Sequence, residues 1–243
     1  MTFYNIKINK TELEKLSEDE KIFLFQLAHF LNEISILNKC FVMAGNGLTG
    51  SKDKIERHGQ VALGLFFLRM LAGKLEEGWQ MLQRDFFGSK LSKDYEKELP
   101  PNAIDSLNKL KRYLSSKNVI KFLRDELSFH YGKEEIKKEL SKASTTETFE
   151  MFISDEATSL YAFSDPMILR IICEYLELPD VEKASKKLLD GISGDVTRWF
   201  LEFANECLLL IVKKLNIDYS KTEIPNPPLL REVKLPYFVR KDE

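Results

Sequence analysis

Histidine and cysteine are scarce in this chain, with three of each among 243 residues. Cys40, Cys173 and Cys207 stand far apart in apolar surroundings (Asn-Lys-Cys-Phe-Val, Ile-Ile-Cys-Glu-Tyr and Asn-Glu-Cys-Leu-Leu). They offer neither a disulfide framework nor a metal-ligand spacing, and they fit a reducing compartment. His29, His58 and His130 lack the carboxylate-rich spacing of a metal site, and no cofactor is expected. Long apolar runs are missing too. No stretch approaches the roughly eighteen residues that a membrane span needs, and Met1-Thr2-Phe3-Tyr4-Asn5-Ile6-Lys7 lacks the basic-then-apolar layout of a signal peptide. The expectation is a soluble cytoplasmic protein with no membrane partner. A strong charge of one sign is also absent: a formal net charge of −2 excludes a uniformly basic nucleic-acid coat protein, because counterion release needs clustered Lys and Arg. There is no internal repeat and no Gly-Ser linker. The glycine-rich stretch 45–52 lacks the Gly-Lys-Ser/Thr ending of a phosphate loop and follows a predicted helix, so it reads as an ordinary loop.

What is present is a balanced globular composition, 44% hydrophobic and 30% charged, with apolar residues at helical spacing. Ser17-Glu18-Asp19-Glu20 reads as a capping box. The apolar series from Ile22 to Leu37 then predicts a helix that ends near Val42, before the glycines at 45, 47 and 50. A second helix is expected over about 53–87, its Gly64, Gly73 and Gly78 tolerated through close packing. Pro100-Pro101, with Asn102 as cap, introduces a third, and Asn118 caps a fourth that Gly132 stops. A short charged helix should follow over 133–141. Aromatic and β-branched runs flanking 154–158 predict a small hairpin over about 148–163. Pro166 opens another helix, and 181–215 reads as one long helix with an interruption near 191–194. The fold class expected is an all-α helical bundle with a small β-hairpin insertion: one domain over 1–215, then a proline-rich, extended or mobile tail over 216–243.

One segment points toward chemistry, Lys121-Phe122-Leu123-Arg124-Asp125-Glu126-Leu127-Ser128-Phe129-His130-Tyr131-Gly132. Arginine is a permanent cation that clamps phosphate, and histidine titrates near neutrality. On an ideal helix Arg124 and His130 would lie about 9 Å apart along the axis and about 120° around it, so they share no strict face. A histidine in a last helical turn also feels the negative end of the helix dipole, which favours its protonated form. Residues 103–143 carry ten Lys and Arg against six Asp and Glu, a local excess of four. The plain structural reading of the same residues pairs Arg124 with Asp125, Glu126 or another exposed acid, and leaves His130 capping a helix end.

Arg124-Asp125 followed by His130 resembles the motif of the HEPN superfamily: arginine, a polar residue, then histidine, with four to six residues between arginine and histidine. More loosely, the stretch from Phe67 to Trp79 and the ending Leu127-Ser128-Phe129-His130-Tyr131 resemble uncharacterised bacterial proteins with HEPN-like helices, and the likeness extends over about residues 15–143. The resemblance implies a metal-independent RNA endonuclease of a defence or stress system, with a cognate antitoxin or defence-system partner. It also implies a homodimer that binds RNA in a two-fold cleft between motif helices. In that picture Arg124 and His130 are catalytic, Asp125 orients its neighbours, and Tyr131 hydrogen-bonds to or stacks on a base. The other reading is a catalytically inactive helical module for dimerisation or for binding a ligand or partner.

Overall fold

The structure, a computed structural model, describes residues 1–128, 132–155 and 159–239. In chain order its elements are β1 (Thr2–Ile6), α1 (Lys10–Leu13), α2 (Glu18–Gly50), α3 (Lys54–Met81), α4 (Leu91–Tyr95), α5 (Pro101–Leu114), α6 (Val119–Phe122), α7 (Lys133–Lys142), α8 (Ser164–Tyr175), α9 (Val181–Leu188), α10 (Thr197–Leu215) and β2 (Tyr219–Glu223). Wide i→i+5 turns over Leu82–Phe87, Leu123–Ser128 and Leu189–Val196 extend α3, α6 and α9. The fold is all-α with a small antiparallel sheet. No helix among the described residues is long and apolar enough to cross a membrane.

Contacts divide the chain into two units, each discontinuous in sequence. The first comprises Met1–Ser35, Lys74–Lys117 and Asp195–Leu229. Its core is aromatic: Phe23 stacks on Phe86 at 5.3 Å, Phe86 meets Phe203 edge-on at 5.4 Å, and Phe30 meets Phe200 at 5.0 Å. Such pairs contribute about 0.5–1.5 kcal/mol each beyond the area they bury. The capping box forms as the sequence predicts, with the Ser17 N–H donating to Glu20 Oε2 at 2.8 Å and the Glu20 N–H to Ser17 Oγ at 3.3 Å. Glu20 also accepts from Tyr95 Oη at 2.8 Å and Lys214 Nζ at 2.5 Å, which ties the start of α2 to α4 and α10. Burial alone would raise this carboxyl. The donors from Lys214, Ser17 and Tyr95 together outweigh it and hold the group down at about 2. At α5 the expected cap shifts by two residues: Pro100 is the N-cap and Pro101 occupies the first helical position, where a missing N–H is harmless, so Asn102 lies inside the first turn.

The second unit comprises Ile36–Gly73, Asn118–Gly194 and Leu230–Glu243. Here α2 departs from expectation, since it continues through Gly45 and Gly47 to Gly50 and does not stop near Val42. The tail supplies the reason. Asn46 Nδ2 donates to the carbonyls of Leu230 and Val233, both at 2.9 Å, and the Leu235 N–H donates to Met43 O at 3.2 Å. Gln60 Nε2 of α3 donates to Leu235 O at 3.1 Å, so residues 230–235 of the tail are bonded to α2 and α3. These bonds offset the roughly 1 kcal/mol that each helical glycine costs. In the expected hairpin, Phe152 and Leu160 exchange backbone hydrogen bonds of 2.8 Å, a single bridge, while residues 156–158 lie outside the described residues.

The ladder with named strands lies in the first unit and joins the two ends of the chain. It pairs β1 with β2 from Thr2↔Glu223 to Ile6↔Tyr219. Both strands are largely exposed. Neither shows the apolar alternation that marks a half-buried strand, and each lies more than 200 residues from its partner.

Close packing explains Gly78 and not Gly64. A Cβ on Gly78 would sit 2.2 Å from the Phe30 ring, whereas one on Gly64 meets nothing within 4 Å. Gly78→Ala is therefore expected to lower stability by about 1–3 kcal/mol, and Gly64→Ala to raise it by roughly 0.5–1 kcal/mol, both read from urea unfolding. Glu20 has its own pH signature. Its folded pKa of about 2 lies below the ordinary 4.5, so its contribution is complete above pH 4.5 and disappears as the pH falls through 2. The stability difference between wild type and Glu20→Gln should shrink by roughly 2 kcal/mol between about pH 6 and pH 3; a constant difference would show that the carboxylate does not hold α2 in this way.

Candidate functional site

The segment singled out by sequence begins where Asn118 caps α6, its side chain accepting the Lys121 N–H at 2.9 Å. After one α-turn the chain widens into the i→i+5 turn Leu123–Ser128. Ile120, Leu123 and Leu127 are buried, which leaves Arg124, Asp125 and Glu126 half-exposed between them. Gly132 closes the segment in the left-handed region, φ 42° and ψ 55°, and then caps α7. A Cβ there would lie 3.0 Å from the Glu126 carbonyl, so glycine meets both the conformation and the close approach. Over Leu123–Ser128 the wide turn departs from the phase of an ideal α-helix.

Arg124 Nη1 donates to Asp125 Oδ1 at 2.8 Å, with side chains 31% and 33% exposed. The plain structural reading of Arg124 thus holds. His130 and Tyr131 lie outside the described residues.

The turn is held by a residue that the motif does not include. Arg69, on α3, donates from Nη1 to Leu127 O at 3.0 Å and from Nε to Leu65 O at 3.4 Å. In return the Ser128 hydroxyl shares its proton between the carbonyls of Arg69 at 3.0 Å and Leu123 at 2.8 Å. The free end of the turn is therefore bonded to α3 from both directions. A signal for it existed: Arg69 is the one cation in the run Val61 to Gly73, and a charge in such a run must find acceptors as it is buried. Arg69 also acts on Asp165 of α8. Burial raises the Asp165 carboxyl, and the fields of Arg69 and His58 oppose that rise.

The remaining candidates have structural places. His29 is 77% exposed and lies 3.6 Å from Glu33. The ring of His58 lies 6.0 Å from that of Phe152. Trp79 is buried, as is Glu76, which accepts from Gln80 at 3.3 Å. Among the described residues, no group of three or more His, Cys, Asp and Glu side chains is arranged to hold a metal ion. No protein-family model, curated protein or solved structure matches the chain.

Arg69→Leu leaves the Leu127 carbonyl without its donor, which should cost about 1–3 kcal/mol. Hydrogen exchange at the amides of 123–128 is expected to quicken about tenfold or more, with the first unit unaffected. Unchanged protection there would mean that α3 does not hold the turn.

Proposed function

We propose that this chain is a metal-independent RNA endonuclease of the HEPN type, working as a homodimer in which two motif segments meet across a two-fold cleft. In this reading the ribose 2′-hydroxyl attacks the adjacent phosphorus and displaces the 5′-oxygen of the next nucleotide. His130 handles the proton, and Arg124 balances the charge that builds on the phosphoryl oxygens. Asp125 orients the arginine, and Tyr131 contacts a base.

The observation that carries the reading is the placement of Arg124. It stands half-exposed on a wide turn that packs its apolar neighbours inward, in the same short segment as His130 and ahead of the left-handed Gly132. Turns of this kind occur frequently at functional sites. The bond from Arg124 to Asp125 is a partly exposed ion pair, a class worth about 0–1 kcal/mol, so exchanging the carboxylate for a phosphate costs little. The excess of cations along the sequence over 103–143 is in keeping with a polyanionic substrate. The same Arg124–Asp125 pair favours the second reading, a catalytically inactive module for dimerisation or for binding a ligand or partner, in which the arginine is neutralised within its own chain.

The purified chain is expected to cleave single-stranded RNA in excess chelator and to leave 2′,3′-cyclic phosphate ends. His130→Ala and Arg124→Ala should each slow cleavage by about a hundredfold or more with no loss of thermal stability. Cleavage that persists equally in His130→Ala, or is absent from the wild type, decides for the second reading.

A further inference from the structure

The second unit contains a cavity of about 630 Å³ whose lining comes from α3, α7, α8 and the segment around Phe149 and Met151. Its size falls in the range of small-molecule sites, roughly 300–1,000 Å³. Four large apolar side chains at this cavity remain in solvent: Leu140 at 50%, Phe149 at 45%, Met151 at 51% and Phe163 at 36% exposure. The polar groups are few, and they include Arg69 and Asp165.

We propose that this cavity binds a small amphipathic cation, an aliphatic or arylalkyl amine whose ammonium group sits against the Asp165 carboxylate while its apolar body lies among Leu140, Phe149, Met151 and Phe163. Asp165 decides the sign. Its carboxylate is half-buried, and among the described residues it has no hydrogen-bond partner, so it carries a desolvation cost that a donor in contact would offset. Arg69 does not supply that contact. Its Nε and Nη1 are directed at the Leu65 and Leu127 carbonyls, and it acts on Asp165 through its field. A carboxylate ligand would meet the charge of Asp165 directly, and an alcohol would form a weaker bond than a charge-assisted one. The rings of Phe149 and Phe163, 6.4 Å apart and nearly perpendicular, add faces that attract an ammonium group.

This inference stands apart from the nuclease reading, and its test measures binding alone. The full chain is titrated calorimetrically with octylamine, octanol and octanoate near neutral pH. Octylamine should bind at least about tenfold more tightly than either of the others, and Asp165→Asn should abolish that preference. Met151→Lys, on an exposed side chain that does not endanger folding, should weaken octylamine by about tenfold and serves as the deciding variant if Asp165→Asn does not fold. Octanoate or octanol binding as tightly as octylamine, no binding of any of the three, or octylamine binding unchanged in either variant overturns the proposal.

Discussion

The carboxylate of Glu20 sits at the point from which the first unit is organised. It is only 4% exposed, and a buried charge of that kind persists only when its acceptor capacity is filled. Here the filling groups come from the loop before α2, from α4 through Tyr95, and from α10 through Lys214. One capping interaction, legible as four consecutive residues, thereby becomes a tertiary tie among three segments distant in sequence. It fixes where α2 begins, and α2 then supplies Phe23 and Phe30 to the aromatic core.

Arg69 has the corresponding position in the second unit, with the sign reversed. It is a cation on a largely apolar helix that stabilises itself by donating to two backbone carbonyls, and one of those carbonyls belongs to the turn carrying Arg124. The same side chain lines the apolar cavity and biases the charge of Asp165. The motif turn and the cavity are therefore two faces of one electrostatic arrangement: whatever displaces the Arg69 guanidinium acts on the Leu127 carbonyl as well. Because Ser128 bonds back to the Arg69 carbonyl, the coupling runs through both main chain and side chain.

The fold class was legible because helical periodicity and local caps are short-range signals. Ser17 with Glu20 and Asn118 with Lys121 each act within a few residues, and the structure places both as the sequence implies. Long-range partners left no such trace. The glycines at 45 and 47 read as a break because their compensation comes from Leu230, Val233 and Leu235. β1 and β2 were invisible for the same reason, each exposed and each meaningful only beside the other end of the chain. The candidate site divides along the same line: Arg124 and its bond to Asp125 were readable from adjacency, whereas Arg69 and Asp165 come together only once α3 and α8 are folded.

The wide turn at 123–128 bears on how that site should be understood. An ideal helix would set Arg124 and His130 on diverging faces, an argument against their acting on one group. Over 123–128 an i→i+5 turn departs from the α-helical phase on which that argument depends, and Gly132 is left-handed where α7 begins. Gly132 is left-handed at a point where a Cβ would come within 3.0 Å of the Glu126 carbonyl, and Ser128 is bonded across the turn to Leu123. A left-handed glycine is a common helix stop, whereas a serine hydroxyl bonded to the carbonyl five residues back belongs to the wide turn itself. Together with the bond from Arg69 to the Leu127 carbonyl, that serine bond fixes the geometry of the turn that carries the arginine.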